Sequence, residues 1–420
     1  MFVLAIHTLY SVAIGIGLIS LLAVMSRLIG LRRSPTTESA WVSIILPLTG
    51  EARAFSALLD ALNKQTLRPA CLVVSVESEH DPAYARVRSS IRKARFPIKL
   101  VVAGPAAHQA QKCRNQQAAL DHVDVRTEVI VLMDGDIVPD PDWLSSLISP
   151  VVAGEYDIIS GHRWQQIARH RLGAHLVAAT DRATTLLPRV ELDFACVTWG
   201  GSIAMTIDVA QWVDLRSLFD RVLSDDLALA RRASWLGLRV GTHRSLLVPS
   251  PNEQSFASAW HFARRQYQMC RIYRTTLWSI GLGAVGLRLA GWSAALLVAV
   301  IEDSGVWVLQ ALMLLGLLKQ YVIGEFSRRL GMPDAWSVRL VQLGLGCCQP
   351  IVDLFHLSAI IGASWVRTVR WGHVTYRVFG PDSIQVQERD PFHVGRRLER
   401  PGVGTWDVAK AIQSGADEPR

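Results

Sequence analysis

Residues 2–26 form an apolar run that contains no charged residue. A helix over this run is long enough to span a membrane, since about 20 apolar residues cross the hydrocarbon core. The nearest basic residues, Arg27, Arg32 and Arg33, follow the run, whereas a cleaved signal peptide carries its positive charges ahead of it. We therefore expect a transmembrane anchor over residues 1–33, with a cleaved leader as the less favoured alternative. The positive-inside rule then places the rest of the chain in the cytoplasm.

The C-terminal third of the chain is also apolar, in three segments at about residues 277–301, 304–324 and 338–364. Three complete crossings would place the basic residues Arg367 and Arg370 outside, against the positive-inside rule. One segment is therefore expected to be interfacial or re-entrant, and the segment broken by Pro350 is the favoured one. We expect a membrane region of two or three apolar segments over 276–365, followed by a cytoplasmic tail over 366–420 whose last 40 residues are ordered only in part.

Residues 40–275 lie between these apolar ends and have the composition of an ordinary globular domain. Short β-branched apolar runs alternate there with helical stretches. The predicted strands cover about 41–47, 71–76, 98–102 and 128–133, and the predicted helices cover about 55–65, 82–94 and 110–121. This alternation predicts an α/β domain with a mostly parallel sheet covered on both faces. Ligands of such sheets bind at the carboxyl ends of the strands.

The basic residues help to exclude one class of function. The formal net charge is +8, but many Lys and Arg residues lie beside apolar runs, as at Arg264-Arg265 and Arg328-Arg329. That placement is typical of membrane flanks that meet anionic headgroups. We therefore expect a membrane partner and no nucleic acid. The six cysteines contain no CxxC pair, so neither a disulfide framework nor a zinc site is predicted.

Two carboxylates, Asp134 and Asp136, follow the fourth predicted strand in the sequence Met-Asp-Gly-Asp-Ile. Hard oxygen ligands on a tight turn suit Mg²⁺ or Mn²⁺, and such a cation would neutralise the diphosphate leaving group of a nucleotide sugar. A solvated Asp-Gly-Asp turn is the alternative for the motif alone. Glu77 and Asp81 follow the second predicted strand, at the same edge of the sheet, and this coincidence favours a nucleotide site.

Two further groups of residues are candidates for the chemistry. Asp225 and Asp226 precede a predicted helix over 227–236, where acids can stabilise the helix start or one of them can serve as a general base. Gln268 and Arg271 share one face of a later helix. The guanidinium could bind phosphate in a bidentate way, or the helix could be a basic amphipathic helix on the membrane surface.

As an ordered set, these motifs resemble a known family. The chain is similar over about residues 41–275 to the ceramide glucosyltransferase-type branch of the family 2 glycosyltransferases, a group that also includes bacterial hopanoid-linked enzymes. The residues that carry the resemblance are Pro47-Leu-Thr-Gly50, Val76 to Ala83, Asp134-Gly-Asp136, Cys196 to Met205, Asp225-Asp226-Leu227, Gln268-x-x-Arg271, and Trp371-Gly372 with Tyr376. The resemblance implies a GT-A fold, a UDP-sugar donor, a divalent cation and inversion at the anomeric carbon.

The resemblance also implies individual roles for residues. Asp226 would be the catalytic base with Asp225 as the fallback, and Asp134 and Asp136 would hold the metal and diphosphate. The implied nucleotide-sugar contacts are Glu77, Asp81, Lys112, Asn115, Asp134, Gln268 and Arg271. Two positions depart from the family pattern: Ile272 stands where QxxRW has tryptophan, and Leu187 stands where ceramide glucosyltransferases have histidine. These departures put ceramide itself in question more than the sugar chemistry.

The expected function is transfer of a single sugar to the hydroxyl of a membrane lipid, such as a sphingolipid or a hopanoid, by an integral protein of the bacterial inner membrane. A processive polysaccharide synthase shares the motifs but needs a channel, for which the predicted spans are few. A polyprenyl-phosphate sugar transferase shares the fold and would give a product that contains a lipid phosphate. A membrane scaffold without turnover is the non-enzymatic alternative.

Overall fold

The computed structural model describes residues 2–29, 36–37, 39–186, 196–242, 246–302 and 304–392. A central sheet of seven strands has the order β3-β2-β1-β4-β7-β5-β8. Within it β7 is antiparallel to its neighbours β4 and β5, and the other strand pairs are parallel. The strands are β1 (Val42–Pro47), β2 (Cys71–Val76), β3 (Ile98–Val102), β4 (Val129–Met133), β5 (Ile158–Ser160), β7 (Ser202–Thr206) and β8 (Val240–Gly241).

Helices cover both faces of this sheet, and β1, β2 and β4 are therefore buried almost throughout. Burial on both faces explains why these strands read as continuous apolar runs. The helices of the domain are α2 (Phe55–Asn63), α3 (Pro82–Ser90), α4 (Gln111–Leu120), α5 (Trp143–Val152), α6 (Leu172–Thr185), α7 (Ile207–Trp212), α8 (Leu215–Leu218), α9 (Asp225–Trp235) and α10 (Phe256–Tyr273). A short parallel pair, β6 (His162–Ile167) with β9 (Leu247–Asn252), lies beside them. The predicted mostly parallel α/β fold with apolar helices at both ends is confirmed.

Three helices have the length and apolarity needed to cross a membrane: α1 (Phe2–Ile29), α11 (Thr275–Ile301) and α12 (Ser304–Arg329). They leave large apolar side chains exposed, which is unusual for a surface that faces water; examples are Ile19, Leu22, Leu296, Val300, Trp307 and Leu314. The next two helices, α13 (Trp336–Cys347) and α14 (Gln349–Trp365), are bent by 81° relative to each other at Cys348. Such a pair is either a broken span or a re-entrant loop.

Buried polar contacts join the α/β domain to these apolar helices. The guanidinium of Arg182 on α6 donates two hydrogen bonds, of 2.6 and 2.7 Å, to the carboxylate of Asp334 between α12 and α13. Gln342 of α13 donates to the backbone oxygen of His175 at 3.1 Å. Because both contacts are buried, they hold α6 in one position against the apolar helices.

The chain after α14 forms a three-stranded antiparallel sheet of β10 (Thr368–Trp371), β11 (Val374–Gly380) and β12 (Ser383–Arg389). Its apolar side chains, including Val374 and Tyr376, belong to the same buried cluster as Cys113 of α4 and Met269 of α10. The segment expected as a polar tail therefore begins with a folded sheet that packs on the α/β domain.

Candidate active site

Lys112 connects two of the predicted site carboxylates. It lies in the first turn of α4, and its Nζ is 2.7 Å from Asp134 Oδ1 and 2.9 Å from Asp225 Oδ2. Asp134 follows β4 and Asp225 begins α9, so the sheet and the two helices bring these residues together at one edge. Burial of the ammonium lowers the pKa of Lys112, but the neighbouring carboxylates raise it by more. The pKa of Lys112 therefore lies well above its usual value. The group is therefore a fixed cation at neutral pH.

Asp225 is the more enclosed of the two adjacent acids. Its side chain is 1% exposed, and Oδ2 also accepts a hydrogen bond of 2.8 Å from Gln116 Nε2 on α4. A buried carboxylate that is paired with a lysine and bonded to an amide is held in one orientation. Asp225 is accordingly suited to position Lys112 rather than to meet a substrate.

Asp226 is partly exposed and oriented by four groups. Its Oδ1 accepts from the Ser224 hydroxyl and, at 2.7 Å, from the backbone N–H of Leu227, while Oδ2 accepts at 3.1 Å from the backbone N–H of Gly200. Thr198 donates to the backbone oxygen of Asp226 at 2.7 Å. Burial, and then the neighbouring Asp225, raise the pKa of the Asp226 carboxyl above its ordinary value. A more basic carboxylate is a better proton acceptor at neutral pH.

Two glycines allow the backbone to approach these groups closely. A Cβ on Gly200 would lie 2.6 Å from Lys112 Nζ and 3.2 Å from an oxygen of Asp225. A Cβ on Gly135, between the two acids of the Asp-Gly-Asp turn, would lie 2.3 Å from a side-chain carbon of Leu48. A side chain at either position would therefore displace its neighbour, Lys112 at Gly200 and Leu48 at Gly135.

Asp134 and Asp136 are the residues that fit a divalent cation. Among the residues that the structure describes, no cluster of three or more His, Cys, Asp or Glu side chains could hold a metal by itself. Mg²⁺ is commonly bound through one or two carboxylates together with the phosphates of a substrate, rather than by an all-protein cage. The partly exposed Asp134 and the exposed Asp136 supply hard oxygens of that kind, so the donor set fits a cation that arrives with a diphosphate.

Asp81 and Glu77 lie at the end of β2, as predicted, and both are buried. Asp81 precedes α3, and its Oδ1 accepts a hydrogen bond of 2.9 Å from the backbone N–H of Ala83 in the first turn of that helix. The same oxygen accepts at 2.8 Å from the backbone N–H of Gly50, which follows β1. Its Oδ2 is buried without a hydrogen-bond partner in the described structure. Burial raises the pKa of Asp81 despite these backbone contacts. An unsatisfied buried acceptor at the ligand end of a sheet is a candidate contact for a bound N–H or O–H group.

Two of the predicted nucleotide-sugar contacts, Asn115 and Gln268, already use their side-chain amides in hydrogen bonds to backbone oxygens of the protein. Asn115 donates to Leu48 O at 3.2 Å and to Ser75 O at 3.3 Å, and so links the ends of β1 and β2. Gln268 donates to Val366 O at 2.7 Å, where α14 gives way to β10. These two amides therefore hold the elements that surround the site.

Arg271, in the same motif as Gln268, has a buried Nε without a hydrogen bond. No ion pair of Arg271 with an acidic residue occurs in the described parts of the chain. Ile272, which replaces the tryptophan of the family motif, packs against the main buried cluster. Leu187, the other departure, lies outside the described residues.

Sequence reasoning missed several residues that complete the site. Gln116 bonds Asp225, and His373 and Arg389 contact Glu77 from the C-terminal sheet. Gln116 and Arg389 lie in no local motif with a recognisable spacing, because each meets its partner only through tertiary packing. The Trp371-Gly372 motif next to His373 was the signal available for that residue. Trp199, by contrast, already belongs to the motif from Cys196 to Met205; it stacks on His162 with ring centroids 6.0 Å apart and an interplanar angle of 15°.

The ordered carboxylates on this fold agree with the result of a comparison against protein families. A model of glycosyl transferase family 21 matches residues 5–382, which is most of the chain. The chain belongs to glycosyltransferase family 21. This is the ceramide glucosyltransferase family, so the resemblance drawn from the motifs is confirmed, and this family 21 protein is a glycosyltransferase.

The family 21 protein is also similar to solved glycosyltransferase structures, at low identity. The mannosyltransferase PcManGT from Pyrobaculum calidifontis, in complex with GDP-Man and Mn²⁺, is 14% identical over 86% of this chain and 98% of its own, with a TM-score of 0.46. Residues 1–349 of S. aureus TarS, in complex with UDP-GlcNAc, are 12% identical over 83% of this chain and 100% of their own, with a TM-score of 0.36. At these values the likeness carries no inference about substrate. No curated protein matches the chain significantly.

Proposed function

We propose that this protein transfers one sugar from a UDP-sugar to the hydroxyl of a membrane lipid, with inversion at the anomeric carbon. The observation that carries the proposal is the position of Asp226, whose oriented carboxylate adjoins the Asp225–Lys112–Asp134 network. An inverting displacement needs one base to accept the proton of the attacking hydroxyl. Asp226 has the partial exposure and the raised pKa that suit this role.

In this mechanism Asp226 takes the proton as the acceptor oxygen forms its bond to the anomeric carbon. The bond from that carbon to the diphosphate breaks at the same time, and the nucleoside diphosphate leaves with the electron pair. A divalent cation held by Asp134 and Asp136 would supply Lewis-acid stabilisation of the leaving diphosphate. Lys112 offsets one of the two negative charges of Asp134 and Asp225, which reduces their repulsion of the incoming phosphates.

Asp81 and Arg271 are the proposed protein contacts at the two ends of the nucleotide. The buried and unsatisfied Oδ2 of Asp81 is suited to accept a hydrogen bond from the nucleoside. The guanidinium of Arg271 combines a permanent charge with an unpaired buried N–H, which is the chemistry that binds a diphosphate. With these two contacts the donor would lie along the carboxyl ends of the strands.

A lipid acceptor is supported by the way in which the α/β domain joins the apolar helices. The active-site helix α9 contacts α10, which is followed immediately by the apolar helix α11. The buried Arg182–Asp334 pair fixes α6 to the same region. A hydroxyl at the membrane surface can therefore reach the site without the channel that a processive synthase needs.

The proposed orientation has the α/β domain in the cytoplasm of a bacterium, at the inner membrane. The positive charges in the last turn of α1 and after it, at Arg27, Arg32 and Arg33, support it. Because the C-terminal sheet packs on the α/β domain, the chain must return to the same side after α14. The helices α11 and α12 provide one crossing each way, so we infer that the bent pair α13–α14 enters and leaves the membrane on that side.

The proposal is tested with the purified protein, a panel of UDP-sugars, a bacterial lipid extract and Mn²⁺. Mass spectrometry of the products is expected to show a lipid with one added hexose, and no product when Asp226 is replaced by Asn. A polymer would instead identify a processive synthase, and a lipid-phosphate sugar would identify a polyprenyl-phosphate transferase. Absence of UDP binding by calorimetry in the presence of Mn²⁺ would contradict the proposal altogether.

A further inference from the structure

Glu77, at the carboxyl end of β2, is held by two side chains from the C-terminal sheet. His373, in the turn between β10 and β11, places Nε2 2.8 Å from Glu77 Oε2. Arg389, the last residue of β12, places Nη1 2.5 Å from Glu77 Oε1. The Glu77 side chain is 6% exposed, and that of His373 is 10% exposed. Both oxygens of a predicted nucleoside contact are therefore already engaged by residues about three hundred positions later in the chain.

Arg389 makes further contacts at the same edge of the central sheet. Its Nη1 donates to Gln111 Oε1 at 3.0 Å, and its Nη2 donates to the backbone oxygen of Ala106 at 2.9 Å. The hydroxyl of Tyr376 on β11 accepts from the backbone N–H of Gln111 at 2.9 Å. Gln111 is the residue before Lys112. The C-terminal sheet is thus bonded to the start of the helix that carries the site lysine.

The turn between β10 and β11 lies next to Thr49, in the segment that follows β1. Gly372 in this turn has a φ of 61°, and a Cβ built on it would lie 3.7 Å from the Thr49 methyl carbon. Thr49 precedes Gly50, whose N–H is bonded to Asp81 Oδ1. The turn therefore covers the backbone that holds Asp81, the proposed nucleoside contact.

We infer that the C-terminal sheet forms a wall of the donor site, and that His373 and Arg389 are positioning residues that hold Glu77 for the nucleoside of the donor. This inference rests on the proposed function and adds a specific role for residues 368–389. The charges support a role beyond anchoring. Arg389 neutralises the buried carboxylate of Glu77, which would otherwise repel the diphosphate of a donor bound at this edge.

An anchoring role alone does not require this arrangement. The sheet already buries five apolar side chains in the main cluster, namely Val369, Val374, Tyr376, Val378 and Ile384. Replacing a buried ion pair by apolar residues often leaves stability unchanged or improves it. A charged contact that is retained at the ligand end of the strands is therefore better explained by an effect on the ligand.

The test compares Arg389→Gln with Arg370→Gln in the full-length protein. Arg370 lies in the same sheet, where it pairs with Asp390 at an exposed position. Binding of UDP, used as the probe in the presence of Mn²⁺, is measured by calorimetry together with the donor and acceptor KM. Arg389→Gln is expected to weaken UDP binding and to raise the donor KM by roughly tenfold or more, because Glu77 loses the charged partner that holds it. The acceptor KM of Arg389→Gln should stay at the wild-type value. Arg370→Gln should keep the wild-type UDP affinity and both wild-type KM values.

The variants Glu77→Gln and Glu77→Gln/Arg389→Gln separate positioning from anchoring. If Arg389 acts on the donor only through Glu77, adding Arg389→Gln to Glu77→Gln should weaken UDP binding little further. Two independent losses would instead add and would contradict the positioning role. If Arg389→Gln does not yield folded protein, His373→Gln is measured in the same way, and it should also weaken UDP binding. Wild-type affinity for UDP in a folded Arg389→Gln variant overturns the inference. Failure of the unmodified protein to bind UDP instead contradicts the proposed function.

Discussion

Replacing Asp226 by Asn should separate catalysis from folding in this protein. The two carboxylate oxygens of Asp226 accept different backbone N–H groups, Oδ2 from Gly200 and Oδ1 from Leu227. The single side-chain oxygen of Asn can keep one of these contacts, so we expect the variant to remain folded with one orienting hydrogen bond fewer. It also loses the ability to take a proton. Loss of a general base lowers the rate by about 10²- to 10⁴-fold, which corresponds to about 2.7 to 5.4 kcal/mol of transition-state stabilisation. The donor KM should stay within a few-fold of the wild-type value.

The pH dependence of kcat/KM provides a second measurement on the same residue. A base must be deprotonated to act, so activity falls as the pH drops through its pKa. Burial and the neighbouring Asp225 raise the pKa of Asp226. The acid limb should therefore lie above about 3.9, the ordinary value for Asp. Asp225→Asn removes the neighbouring negative charge and should move this limb to lower pH.

The two adjacent variants serve as controls for each other. Asp225→Asn weakens one contact of Lys112 but leaves its contact with Asp134, so its kcat should fall by roughly tenfold or less. The assay is the transfer of labelled sugar from UDP-sugar to lipid under donor saturation. The reasoning is refuted if Asp226→Asn keeps at least a tenth of the wild-type kcat while Asp225→Asn abolishes transfer.

Three further predictions follow from contacts at and near the site. Asp334→Asn leaves the buried Arg182 without its bidentate partner and should lower the unfolding free energy by about 3 to 5 kcal/mol. In the same chemical denaturation of detergent-purified protein, Asp121→Asn at an exposed ion pair should cost less than about 1 kcal/mol. Gly200→Ala should displace Lys112, with a higher donor KM and roughly tenfold lower kcat; unchanged kinetics would exclude the close approach. Removal of divalent cations with EDTA should abolish transfer, and Mn²⁺ or Mg²⁺ should restore it.

Much of the α/β domain could be predicted because its signals are local. The first, second and fourth strands are buried on both faces, and a short run of β-branched residues is enough to identify each of them. The turn after β4 carries Asp134 and Asp136 with only Gly135 between them. The helix that was predicted over 55–65 ends at Asn63, since helix ends depend on a few weak contacts.

Other properties of the site depend on contacts that no local pattern encodes. Asp225 and Asp226 are adjacent and chemically alike, yet Gln116, which lies 109 residues away, encloses the first, while the backbone of Gly200 orients the second. The contacts of Gln268 also depend on a distant part of the chain. Its motif predicted a contact near the diphosphate, but in the fold its amide bonds the backbone after α14.

The sequence by itself determined that the chain has apolar segments long enough to cross a membrane, a mostly parallel α/β domain between them, and acids at the strand ends. These properties follow from hydrophobicity and periodicity within short segments. Only the tertiary structure decided which acid is accessible, and that the segment expected as a tail folds into a sheet that contacts Glu77, whose partner His373 lies 296 residues away. Contacts over such separations are selected by the packing of the whole chain, and no segment of the sequence contains both partners.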